Sequence, residues 1–152
     1  MKKNFIITFC ILLVLNTKLS EAAVSCGIGS SGLFFGSINP LSQAEVTSVA
    51  TINLNCTGGP LTYAIKLTQG NGLMLQRLMR SDSNVLKYNL YTSNSYSTIL
   101  GDGTAGSLAI NGQSITDTTY AAYFVFGKVS NIGLSSTAAG TYTDNISVTI
   151  IY

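Results

Sequence analysis

The sequence predicts an all-β chain, an antiparallel β-sandwich with one unfinished sheet. Three observations point there. Segments with an alternating apolar pattern recur along the chain. Between them stand turn signals at the short intervals a sandwich needs: Asn39-Pro40, Thr57-Gly58-Gly59-Pro60, Gln69-Gly70-Asn71-Gly72, Asp82-Ser83-Asn84, Gly101-Asp102-Gly103, Asn111-Gly112 and Ala138-Ala139-Gly140. The last segment, 140–152, is itself an alternating strand, and nothing follows it to cover its free edge.

The chain begins with Lys2 and Lys3, then an apolar run from Phe5 to Leu15 that is too short to span a bilayer. Ser20-Glu21-Ala22 places small residues three and one positions ahead of a cleavage point. Residues 1–22 read as a secretory signal peptide, and 23–152 as one exported domain with no integral membrane segment after cleavage. An uncleaved anchor fits less well because the run is short. A lipoprotein site fits less well because Cys26 lies too far from that run.

The strands follow in order. Gly32–Ile38 is short and aromatic. Val46–Cys56 puts Ala50, Ile52, Leu54 and Cys56 on one face and Thr51, Asn53 and Asn55 on the other. Tyr63, Ile65 and Leu67 repeat the pattern, with Lys66 and Thr68 outward; Leu86, Tyr88 and Leu90 repeat it again, with Lys87 and Asn89 outward. Leu108 and Ile110 precede an expected hairpin at Asn111-Gly112. Tyr120–Val129 is apolar on both faces, as a central or partner-covered strand would be. In the last strand Ile146, Val148, Ile150 and Tyr152 share one face. Gly72–Arg80 has only a faint helical look and reads as a loop or a single turn.

Cys10 leaves with the signal peptide, so Cys26 and Cys56 remain as an even pair in an oxidising compartment. A disulfide between them is expected, worth about 3–4 kcal/mol by the chain-entropy argument for a loop of roughly thirty residues. Metal ligation and a reactive thiol are the rival readings. A zinc site would lack ligands, because the chain has no histidine and no third cysteine outside the signal.

After cleavage the charges balance. Lys66, Arg77, Arg80, Lys87 and Lys128 oppose Glu45, Asp82, Asp102, Asp117 and Asp144. No basic patch is left for nucleic acid, and the low charge suits a protein packed against neighbours. Without histidine, general acid–base catalysis lacks its commonest residue, and the serines have no base to activate them. Asp102, in a Gly-Asp-Gly turn, and Asp144, at a strand start, read as structural. Neither fits a calcium loop, and no phosphate loop is present. No catalytic residue, cofactor or metal is expected.

Asn55-Cys-Thr and Asn145-Ile-Ser are formal glycosylation sequons that fall inside strands and read as chance. Arg77 and Arg80 read as surface arginines covering apolar ground, ahead of a clamp for an anionic sugar. Tyr63, Tyr88 and Tyr152 are assigned to the core rather than to sugar stacking. Leu73, Met74, Ile99, Leu100, Ile132 and Leu134 sit in loop contexts, as surface contacts or as cover for the core.

The ordered set of motifs is more specific than any one of them. Cys26 is followed by Phe34-Phe35-Gly36-Ser37-Ile38-Asn39-Pro40, Ile52-Asn53-Leu54-Asn55-Cys56, Tyr63-Ala64-Ile65-Lys66-Leu67 and Arg77-Leu78-Met79. Leu86-Lys87-Tyr88-Asn89-Leu90-Tyr91, Gly101-Asp102-Gly103-Thr104, Phe126-Gly127-Lys128-Val129 and Gly140-Thr141-Tyr142-Thr143-Asp144 complete it. Over nearly all of residues 23–152 the chain resembles the spore coat protein U domain family, the subunits of archaic chaperone–usher pili. The resemblance implies an immunoglobulin-like sandwich that lacks its final strand. It implies three partners: a periplasmic pilus chaperone, an outer-membrane usher, and a neighbouring pilin subunit that donates a strand. By the same analogy Ile146, Val148, Ile150 and Tyr152 border the acceptor groove and form the chaperone's docking edge. The resemblance also implies export through the periplasm to the bacterial cell surface.

One departure bears on position. Only Ala23, Val24 and Ser25 stand between the expected cleavage point and Cys26, whereas a donor strand needs roughly ten residues. The expectation is a subunit that receives a strand without giving one: a tip, minor or coat-type subunit involved in adhesion or biofilm. The alternative is a free-standing secreted carbohydrate- or surface-binding β-sandwich. Such a module would fold alone, whereas a pilin-type subunit needs its donor.

Overall fold

The computed structural model describes residues 23–42, 44–114, 116–130 and 137–152. The expected signal peptide with Cys10, and the apolar residues Ile132 and Leu134, lie outside the described residues. Among the latter there are eight strands and no helix: β1 (Ser25–Ser30), β2 (Val46–Thr57), β3 (Leu61–Leu67), β4 (Arg77–Ser81), β5 (Asn84–Tyr91), β6 (Ile110–Ser114), β7 (Thr118–Val129) and β8 (Val148–Ile151). They form two sheets, β1-β2-β7-β5-β4 and β6-β3-β8, and every strand pair is antiparallel.

The core follows the predicted alternation except at Asn89, expected outward but buried because Arg77 and the Met74 carbonyl cover it. Ile52, Leu54 and Cys56 of β2, Tyr63, Ile65 and Leu67 of β3, and Leu86, Tyr88 and Leu90 of β5 are all buried. These inward rows meet Val125 and Val129 of β7 between the sheets. β7 is central, flanked by β2 and β5, which accounts for its apolar inner face. Cys26 stands directly opposite Cys56 in the β1–β2 ladder, and the two form a disulfide. The β2–β3 turn carries the chain from one sheet to the other through Gly58 and Gly59, whose φ angles of 103° and 115° suit glycine. Asp82 and Ser83 close a tight hairpin between β4 and β5, with Asp82 at φ 51°.

Several sequence expectations need correction. Gly72–Arg80 is not a loop throughout, because Arg77–Ser81 pairs with β5 as the edge strand β4. Its alternation was masked by Arg77, which points inward among apolar neighbours. Asn111-Gly112 makes no hairpin; both residues lie inside β6, opposite Ala64 and Tyr63. Gly112 is glycine because a Cβ there would run into the Tyr63 ring. β1 at Cys26 was not foreseen, since its glycines break the apolar pattern. Gly32–Ile38 is an irregular extension of that edge rather than a strand. Of the apolar loop residues, Leu73 is exposed, whereas Met74 and Leu100 are buried.

Candidate functional site

The two sheets do not close along one side. Between the β1 edge of the first sheet and the β8 edge of the second lies a cleft of about 420 Å³. Its floor is the core itself, including Ala50, Ile52, Leu67, Leu90 and Val125. A second cleft of about 750 Å³ shares Leu33, Phe34, Phe35, Met79 and Tyr142 with it and prolongs the groove.

The first wall is the segment that continues β1. Its backbone stays beside β2, with Ser31 N–H donating to the Thr51 carbonyl at 2.9 Å and Ser48 Oγ donating to the Phe34 carbonyl at 2.6 Å. Leu33 and Phe35 turn inward over β7. Gly127 makes room for them, since a Cβ there would meet both side chains. Phe35 packs edge-on against the Tyr88 ring at 5.9 Å. Phe34, between them, is 80% exposed at the rim.

The second wall is 142–148. Arg80 and Thr143 exchange two main-chain hydrogen bonds, at 2.8 and 2.9 Å. Asp144 follows. One of its carboxylate oxygens accepts from the N–H groups of Asn71 and Asn145, and the other accepts from Tyr88 Oη at 2.7 Å. Burial first, and this bond second, push the Tyr88 phenol well above its ordinary range. The wall then enters β8 through Ser147, held by Thr68. The Thr68 N–H donates to the Ser147 carbonyl at 3.1 Å, and Ser147 N–H donates to Thr68 Oγ1 at 3.0 Å.

That pairing fixes the polarity of the β8 edge. It is in register with Lys66↔Thr149 and Ala64↔Ile151. Bonded positions alternate along an antiparallel ladder, so Ser147, Thr149 and Ile151 direct their main-chain groups at β3. Val148 and Ile150 turn theirs the other way, where no strand lies among the described residues. The side chains of Ile146, Val148 and Ile150 face the core yet remain half-buried. Ile146 and Val148 line the cleft, and Ile150 continues their row. Tyr152 does not join them. It is 55% exposed beyond the end of β8, so its assignment to the inner face is corrected.

Of the two arginines, Arg80 lies on the surface as expected, whereas Arg77 fits neither reading of the sequence. Arg77 is wholly buried. Its guanidinium donates to Asn89 Oδ1 at 2.6 Å, to the Thr68 carbonyl at 3.0 and 3.3 Å, and to Met74 Sδ at 3.2 Å. Desolvation lowers its pKa, opposed by Tyr88, Asp144 and Asp102 nearby. Arg80 is exposed. Asp102 caps its own turn through the N–H and hydroxyl of Thr104, at 2.9 and 2.7 Å. The Thr104 hydroxyl is the first cause of its lowered pKa.

The arrangement is therefore an apolar trough with one unpaired strand edge and a polar latch at one end. It can take an extended chain: main-chain groups for the β8 edge, and alternate apolar side chains for the exposed core.

Comparison with known proteins agrees with this architecture. The fold is similar to a chain in the crystal structure of the CsuC–CsuE chaperone–tip adhesion subunit pre-assembly complex, from archaic chaperone–usher Csu pili of Acinetobacter baumannii. That match has 24% sequence identity and a TM-score of 0.57, and it covers 86% of this chain and 40% of that one. Comparison with the curated proteins finds no match. The family model of the spore coat protein U domain matches residues 12–149. The family resemblance carried by the ordered motifs is thus borne out, and the chain belongs to the spore coat protein U domain family.

Proposed function

We propose that this protein is an exported structural subunit of a surface fibre or coat, completed by a β-strand from another polypeptide. One observation carries the reading. Ile146, Val148 and Ile150 face the core but are only half-buried, beside a strand edge with no partner among the described residues. A self-sufficient sandwich buries its inward row and covers its edges. An added strand would do both at once. A periplasmic chaperone would lend it first; at the outer-membrane usher, a neighbouring subunit would then replace it. The similarity to a chain of a chaperone–subunit pre-assembly complex supports a chaperone as partner, and the Cys26–Cys56 disulfide suits an oxidising route to the cell surface. The role is structural rather than catalytic.

The test is expression of the full chain into an oxidising periplasm, with and without a chaperone–usher-type chaperone. Solubility and a cooperative melt only with the chaperone are expected. A stable monomer without help would overturn the reading and favour a free-standing binding module.

A further inference from the structure

On the face of the first sheet that turns away from the core, β7 presents Tyr120, Ala122 and Phe124 in succession. Tyr120 is 76% exposed and Phe124 59%. Across the ladder they stand level with Asn55, Asn53 and Thr51 of β2. Asn55 and Asn53 in turn stand level with Gly27 and Gly29 of β1. Ala122 therefore leaves a gap between two aromatic residues about 13 Å apart along the strand. The gap runs on across Asn53 to the bare backbone of Gly29.

Nothing inside the protein requires those two glycines. Neither has a positive φ. A Cβ on Gly29 would meet no atom within 4 Å, and one on Gly27 only the Asn55 carbonyl at 3.9 Å. Glycine weakens a strand, so a smooth floor here serves close approach from outside.

The charge pattern narrows what approaches. β1, β2 and the stretch of β7 from Thr118 to Phe126 contain no acidic or basic residue. Asp117 adjoins the start of β7, and Lys128 near its end is already engaged by Glu45 and lies over the Tyr96 ring. An anionic polymer or a charged protein surface would find no counter-charge, so the complementary ligand is neutral. The ligand also meets main-chain groups. Ser130 N–H bonds the Lys87 carbonyl, in register with Tyr91↔Phe126, which sets the edge polarity of β7. Phe124, Ala122 and Tyr120 thus direct their N–H and C=O groups to a side where β5 no longer runs, unpaired among the described residues. A cleft of about 270 Å³ opens beside them, with Thr92 and Ile110 on its far side.

We propose that this face binds a neutral glycan chain. The C–H faces of pyranose rings stack on the electron-rich faces of Tyr120 and Phe124. Sugar hydroxyls, which both give and accept, match the Asn53 and Asn55 amides and the free β7 edge. The site lies away from the groove and does not depend on how the groove is filled.

The test uses the chaperone-bound exported chain and a panel of neutral oligosaccharides (cellohexaose, chitohexaose, mannohexaose), with polygalacturonate as an anionic control and the chaperone alone as a blank, followed by calorimetry. Binding of at least one neutral member is expected. Tyr120→Ala and Phe124→Ala should each weaken it about tenfold or more. Tyr120→Thr and Phe124→Thr, which keep strand propensity, should do the same, while Leu41→Ala, on an exposed turn away from this face, leaves it unchanged. Binding of no neutral member at millimolar concentration would overturn the proposal, as would binding that survives all four substitutions. Self-association that depends on Tyr120 and Phe124, with no sugar bound, would assign the face to a second copy and also overturn it.

Discussion

Arg77 reaches the carbonyl of Thr68 with two donors, Nη2 at 3.0 Å and Nε at 3.3 Å, while Thr68 holds Ser147 through both its N–H and its hydroxyl. A buried cation in one sheet thereby fixes the point where the groove's second wall joins the other. Asn89 completes the link from β5. The guanidinium has no carboxylate within ion-pair distance among the described residues, and its acceptors are neutral.

Replacing Arg77 with Met keeps the volume and removes the charge, but the part-buried Thr68 carbonyl loses its guanidinium donors and Asn89 Oδ1 keeps only the Leu90 N–H. A hydrogen bond to a charged group contributes roughly 1.5–3 kcal/mol, so the chaperone-bound protein should lose on the order of 3 kcal/mol against urea. Arg77→Lys should recover little, because an ammonium cannot span the forked geometry. Equal stability of wild type and Arg77→Met would show that the latch contributes nothing.

The groove makes a contrast of two substitutions. Val148→Asp places a charge on the half-buried row beside the open edge. It should abolish co-purification with a chaperone, because a donor strand would bury that charge. Ile65→Ala, at a fully buried site in β3, should cost the chaperone-bound protein about 2–5 kcal/mol while leaving the docking edge in place. Retained chaperone capture by Val148→Asp would mean that the β8 edge is not where the strand adds.

How far the sequence reveals this molecule depends on whether a local pattern or a distant contact decides each element. β2, β3 and β5 were legible because their inward rows are apolar and their outward rows polar. β4 was hidden by Arg77, whose burial depends on Thr68 and Asn89, residues far from it in sequence. Gly112 looked like a turn because its reason for being glycine, the Tyr63 ring, sits on another strand. β1 was hidden by glycines on its outward face. Of the groove, the row Ile146, Val148 and Ile150 was visible, whereas Tyr152 was assigned by extending the same alternation past the end of the ladder. The other wall was unreadable, since Leu33 and Phe35 reach the core only because Gly127 lets them in.

The disulfide joins the edge strand β1 to β2, and β1 has no other ladder partner. Replacing both Cys26 and Cys56 with Ser should cost about 3–4 kcal/mol. The loss should also be local, with amides of 25–30 exchanging faster than those of β3 and β5 in hydrogen exchange. Uniform acceleration across both sheets would show that β1 is part of one cooperative unit rather than a tethered edge.

The last prediction concerns alkali. Tyr123 and Tyr63 share a hydrogen bond between their hydroxyls, and burial first, then that bond, push the Tyr123 phenol up to about 12. Burial and Asp144 raise Tyr88 as well. A phenol whose pKa is raised on folding holds its proton more tightly folded than unfolded. The stabilisation is therefore complete below the ordinary tyrosine value near 10, and it fades as pH climbs from there toward 12. Urea midpoints of the chaperone-bound chain should hold level up to about pH 10 and fall above it. Phenolate absorbance should show that some of the eight tyrosines ionise only as the protein unfolds. Tyr123→Phe should flatten the fall, since one of the late-ionising groups is gone. Identical alkaline slopes for wild type and Tyr123→Phe would remove the Tyr63–Tyr123 pair from the account of stability.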